Sequence, residues 1–163
     1  MKREDMVGVY RQLGEDAVNA AGEITYTNNE RNSQIMYSPD GYVGVISGPA
    51  NRKKVSGSDN RTDLNGASVE ERAAAAANLT CYGGHYELKD GSVFHHIEMA
   101  LNPNLIGQTL IRRVHIDGAD LTLSSVPDKD GNSNGGGCRA NNAYKINRLK
   151  SVFLARSPMC FCT

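Results

Sequence analysis

A chain of 163 residues with 18 basic and 18 acidic side chains is long enough for one well-buried core, or one barrel around a ligand-sized cavity, and too short for two full domains. The balanced charge, with no basic stripe interleaved with aromatics, excludes the electrostatic footprint of a nucleic-acid binder. No apolar run reaches membrane length, and the four cysteines, Cys81, Cys138, Cys160 and Cys162, are too few and too scattered for a disulfide framework.

The start, Met1 to Met6, is charged and leads into Val7 without the apolar stretch of a secretory signal, so a cytoplasmic protein with reduced thiols is expected. Val7 to Leu13 alternates loosely and predicts a first strand. Asp16 to Glu23 is small and polar and reads as a loop leading to a short strand at Ile24. Asn28 to Asn32 reads as a polar turn and Gln34 to Tyr37 as a strand. Ser38-Pro-Asp-Gly41 is a turn, because proline presets φ and Asp-Gly follows, and Tyr42 to Ile46 completes a hairpin.

From Ser47 to Ala67 the composition shifts to Gly, Asn, Ser, Asp and Lys, which predicts a long surface loop beside the barrel mouth. Ser68-Val-Glu-Glu71 is a capping box that introduces the helix-forming run Arg72 to Ala77, and a helix of about three turns follows from it. Four strands come next in quick succession: Thr80 to Leu88, Ser92 to Leu101, Gln108 to Ile116 and Asp120 to Ser125. Lys89-Asp-Gly91 and Asp117-Gly118 read as hairpin turns in which glycine supplies the positive φ. Pro127 to Asn142 reads as flexible, Tyr144 to Arg156 as a closing strand, and 157–163 as an irregular tail, all within one domain spanning 1–163.

The last four strands carry Tyr82, Tyr86, His95 and Arg112 at like-sided positions among apolar neighbours. A curled antiparallel sheet points every second side chain into a common interior, so these groups describe a pocket lining. Along Val93 to Leu101 the odd set, Val93, His95, Ile97, Met99 and Leu101, is more apolar than the even set and is taken as interior. A one-residue bulge would instead bring His96 and Glu98 inside as an acid-base pair. His95 in an apolar cavity would favour its neutral, basic form; the alternative is a structural histidine bonded to a neighbouring tyrosine.

Tyr82 and Tyr86 flank Gly84, which leaves room for a ligand or for an adjacent backbone. Arg112 shares a side with Leu110 and Val114, and an inward guanidinium needs an anion or strong acceptor, supplied by a protein carboxylate or by a ligand. Tyr37 and Tyr42 extend the lining. Neighbouring His95 and His96 project to opposite faces, and no histidine stands at zinc-like spacing from Cys138, Cys160 and Cys162, so no metal site is expected. No cofactor is expected either, since no phosphate loop, nucleophile elbow or dinucleotide fingerprint is present.

Gln34 through Tyr42, Glu70-Glu-Arg72 with its alanine run, Tyr82-Gly-Gly-His-Tyr-Glu87, Val93-Phe-His-His-Ile-Glu98, Asn102-Pro103 and Gln108 to Leu123 together resemble the lipocalin-like domain family, in order and spacing, over roughly Val7 to Ser125. Gly8-Val-Tyr10 is similar to the Gly-x-Trp opening of lipocalins, in which an aromatic plugs the barrel base under an arginine of the last strand; Arg148 and Arg156 are the candidates for that arginine. The resemblance implies an all-β fold, an antiparallel up-and-down barrel of eight to ten strands with one short α-helix and an apolar interior. It also implies a hydrophobic small molecule as partner, in members that are carriers or that act as isomerases and cyclases on polyketide or terpenoid intermediates.

On that basis His95 would be the general acid or base, Arg112 with Tyr82 or Tyr86 would steady an oxyanion, and Val93, Ile97, Met99, Leu110 and Val114 would shape the cavity. A non-catalytic carrier is the competing reading, and a solidly packed core the third. The oligomeric state, a homodimer included, is left open by the sequence.

Overall fold

The structure is a computed structural model, which describes residues 1–18, 24–28, 30–57 and 63–126. The alternation of apolar and polar residues is realised as nine strands: β1 (Gly8–Arg11), β2 (Glu15–Val18), β3 (Ile24–Asn28), β4 (Arg31–Tyr37), β5 (Tyr42–Pro49), β6 (Thr80–Lys89), β7 (Ser92–Ala100), β8 (Thr109–Asp117) and β9 (Asp120–Ser125), with one helix, α1 (Val69–Ala76). Seven of them form one antiparallel sheet in the order β1-β4-β5-β6-β7-β8-β9, curled into a nearly closed barrel. β2 and β3 pair separately as a two-stranded sheet.

Three strands extend into stretches that the sequence assigns to loop or turn. Glu15 to Val18, read as part of a loop from Asp16 onward, is a strand whose pairing with β3 (Glu15 opposite Asn28) overrides a weak local pattern. β4 begins at Arg31, inside the stretch read as a turn, and β5 runs on to Pro49, inside the stretch read as a surface loop, because the two strands pair along their whole length from Tyr37 opposite Val43 to Arg31 opposite Pro49. The stretches from Pro127 to Asn142 and from Tyr144 to Arg156, the tail 157–163, Arg148, and Cys138, Cys160 and Cys162 lie outside the described residues.

The helix starts as its capping box dictates. Ser68 Oγ accepts from the Glu71 amide at 3.2 Å and Glu71 Oε2 accepts from the Ser68 amide at 2.9 Å, so two orphan donors of the first turn are satisfied reciprocally. Glu71 also accepts from the amide and hydroxyl of Ser56, and these bonds, the Ser56 hydroxyl first, hold its carboxyl down at about 2. The helix is shorter than the alanine run: Ala77 is extended and Asn78 takes a positive φ of 59°. Arg52 donates to the carbonyl of Ala75 at 2.6 Å, satisfying the C-terminal turn.

Inward positions alternate as the pleat requires. Ile35, Val45 and Tyr82 face one another across β4, β5 and β6, and Tyr86, His95 and Leu110 across β6, β7 and β8. One end of the barrel is packed solid by Met6, Tyr10, Tyr37, Val43, Tyr86, Val93 and Leu121. There Tyr10 and Tyr86 both meet Tyr37 edge to face, with ring centroids 6.3 and 4.9 Å apart. Arg3 lies 5.7 Å over the Tyr86 ring, so among the described residues the N-terminal turn supplies the arginine that covers an aromatic of the floor.

Candidate functional site

The other end of the barrel is hollow. A cavity of about 490 Å³ opens there, within the range of small-molecule sites, and its walls come from β4 and β5 on one side and β6 to β9 on the other. Ile35, Val45, Leu110 and Leu123 provide the apolar surface, and Leu79 and Leu105 stand on the connections beyond α1 and β7.

Within this lining β7 places His95 between two tyrosines. Its Nε2 lies 2.9 Å from the Tyr37 hydroxyl and its Nδ1 lies 3.0 Å from the Tyr82 hydroxyl, and only 1% of the residue is exposed. Burial, with the Arg112 guanidinium and His96 adding to it, pushes His95 down to about 3, so the ring is neutral and holds one proton, which sits on either nitrogen. Tyr37 is held well above the ordinary phenol range, chiefly by burial and then by Tyr82 and Tyr10, and keeps its proton. Tyr37 stands behind the imidazole; Tyr82, His95 and Arg112 line the cavity itself.

Arg112 is half-buried and donates to the carbonyl of its neighbour Ile111 at 2.8 Å. No carboxylate among the described residues pairs with it. A partly desolvated guanidinium with spare donors favours a ligand oxygen that carries or develops negative charge.

The expected lining divides. His95, Tyr82, Arg112 and Leu110 come together at the cavity, whereas Val93 and Ile97 face inward and are buried without lining it. Val114 packs partly buried against the core. Tyr86 belongs to the packed end, where it donates to the Ser38 carbonyl at 2.9 Å. Tyr42, expected in the lining, lies instead on the outer face, half-exposed with its ring centroid 4.2 Å from that of His85, because Val43 and Val45 take the inward positions of β5. Met99 and Leu101, also expected inside, are 66% and 45% exposed.

The cause is a bulge. Between Gly83 and Gly84 the pairing of β6 with β7 shifts, so that Gly83 stands opposite Met99 and Gly84 opposite Ile97 with Glu98 unpaired between them, which turns Met99 outward. Gly84 is glycine for the same reason: a Cβ there would collide with the backbone carbonyl of His96. The shift falls too late in β7 to bring His96 and Glu98 inside. They stay on the outer face with different partners, His96 with Glu87 at 3.1 Å and with Thr109 at 3.0 Å, and Glu98 with His85.

The sequence reading missed Gln12, Glu15, Arg31, Ser33 and Ser47, all in the lining. The signal for two of them was present: the inward set Tyr37, Ile35 continues to Ser33, just before the predicted strand, and Val43, Val45 continues to Ser47, the first residue read as loop. Among the described residues no group of three or more His, Cys, Asp or Glu side chains could hold a metal ion. No helix among them is long and apolar enough to cross a membrane.

A curled antiparallel sheet with a packed floor and a partly polar chamber above it defines a small β-barrel that supports small-molecule binding. The chain belongs to the lipocalin-like domain family, whose model matches residues 17–145. No curated protein matches the sequence.

Proposed function

We propose that the chamber takes up an apolar small molecule bearing a carbonyl or enol oxygen and promotes a cofactor-free proton transfer on it, an isomerisation or cyclisation of the kind that polyketide and terpenoid intermediates undergo in natural-product biosynthesis. One observation carries this reading: Tyr82 lines the cavity while His95 holds its hydroxyl from behind, next to a guanidinium that no carboxylate among the described residues pairs with.

His95 has both nitrogens engaged, so it works through Tyr82 and is a positioning residue. With its proton on Nδ1, the ring donates to the Tyr82 oxygen, so that the Tyr82 hydroxyl donates its own hydrogen toward the ligand oxygen. Tyr82 and Arg112 then meet the charge that develops on that oxygen as a neighbouring C–H proton leaves. Glu15, the lone carboxylate among the described lining residues, takes that proton and returns it at the new carbon. The apolar walls hold the molecule in a reactive pose.

A probe that isolates the proton step is 2-tetralone in D2O, with exchange of its α-hydrogens followed by NMR. The protein is expected to accelerate exchange, and Tyr82→Phe and Glu15→Gln each to remove on the order of a hundredfold of that acceleration. The competing carrier reading is favoured by the engaged nitrogens of His95. Retention of 2-tetralone with exchange no faster than in buffer would establish it and overturn the catalytic assignment.

A further inference from the structure

The chamber has a second polar pole on β4 and β5, one inward step along the strands from the row that holds Tyr82. Ser33 and Ser47 stand opposite each other on these strands, both buried, with their hydroxyl oxygens 2.6 Å apart. Arg31 donates from Nε to Ser47 Oγ at 2.9 Å and from its second terminal nitrogen to the carbonyl of Asn78 at 3.1 Å. Gln12 is tied alongside, its backbone amide donating to the Ser33 carbonyl at 3.0 Å.

The hydrogen-bond accounting at this pole does not close. Two serine hydroxyls share one bond, so whichever of them donates, the other has a hydrogen with no acceptor among the described residues. Among the described residues, one terminal nitrogen of Arg31 has no acceptor. Both the nitrogen and the oxygen of the Gln12 amide are shut off from solvent and have no hydrogen-bond partner among the described residues. A buried amide with neither donor nor acceptor satisfied is costly, and a site that keeps one has a use for it.

Ile35 and Val45 share the row of Tyr82, one inward step along the strands from Ser33 and Ser47, and Leu123 adds to the apolar lining. Successive inward rows on a strand are about 7 Å apart. We infer that the ligand is bifunctional: an apolar body with an oxygen function for Tyr82 and Arg112 at one end and, at the other, a hydroxyl-type group that both donates and accepts, read by the Gln12 amide and the Ser33, Ser47 and Arg31 cluster. An amide offers a donor and an acceptor side by side, which suits a hydroxyl better than an ether or a bare hydrocarbon edge.

This inference rests on the chamber being the ligand site. The rigid pair 2-naphthoate and 6-hydroxy-2-naphthoate, which differ by one distal hydroxyl, tests it through their intrinsic fluorescence. The protein is expected to bind the hydroxylated acid at least about tenfold more tightly, and Gln12→Leu combined with Ser33→Ala to bring that ratio close to one. In Arg112→Leu both acids should weaken while the ratio persists.

Equal affinity of the parent protein for the two acids, or a ratio that survives Gln12→Leu with Ser33→Ala, overturns the second pole alone. Failure of the parent protein to bind either acid overturns the chamber reading and this inference with it. A separate arm needs no ligand: Gln12→Met, which keeps the side chain's length and removes the orphaned amide, should raise the thermal midpoint. A lowered midpoint would assign Gln12 to structure and overturn its role here.

Discussion

The two ends of the barrel are built by the same strands and do opposite things. At the floor, Met6, Tyr10, Tyr86 and Leu121 fill the inward positions until no room is left. Two inward rows further along β4 and β5, the same alternation delivers Ser33 and Ser47 around a cavity. Close packing at one end supplies free energy that allows a hollow at the other. Packed core and cavity are thus separated along the same strands.

The largest expected effect tests the boundary between these regions, where His95 sits. The unfolded chain takes up its histidine proton near 6.5, whereas the folded protein resists protonation at His95 until about 3. Because the unfolded state binds more protons in that window, stability is complete above it and falls as pH drops through it, by on the order of 4 kcal/mol. The urea midpoint followed from pH 7 to pH 4 should show this loss, and His95→Gln should flatten it. An equally steep loss in His95→Gln would place the acid sensitivity elsewhere.

Next in size are two substitutions at packed positions. Leu121→Ala should cost about 3 kcal/mol in denaturant unfolding, as truncations of buried leucines do. Gly84→Ala should cost about 2 kcal/mol, because the bulge must open to admit a methyl group against the His96 carbonyl. Smallest is Ser47→Ala, at about 1 kcal/mol, since it removes hydrogen bonds from the chamber wall and no packing. If Ser47→Ala cost as much as Leu121→Ala, the chamber wall would be part of the stabilising core and the contrast between the ends would collapse.

Much of this architecture is legible in the residues. The turns at Ser38 to Gly41 and at Asp90-Gly91, the capping box at Ser68 and the strand Asp120 to Ser125 all stand where local chemistry puts them. His95 bonded to tyrosines was one of two readings that the alternation allowed. What stayed hidden depends on contacts distant in sequence. Met99 and Leu101 turn outward because of a pairing shift opposite Gly83 and Gly84, on another strand. Arg31, Ser33 and Ser47 enter the lining because β4 and β5 extend each other beyond their apolar runs, into residues whose composition alone reads as solvent-facing.

The placement of His95 between two hydroxyls has one more consequence. Moving its proton from one nitrogen to the other reverses the polarity that Tyr82 presents to the chamber, from giving a hydrogen to receiving one, while every carbon, nitrogen and oxygen stays put. If the proposed proton transfer operates, the same heavy atoms meet a keto oxygen in one state and an enol hydroxyl in the other.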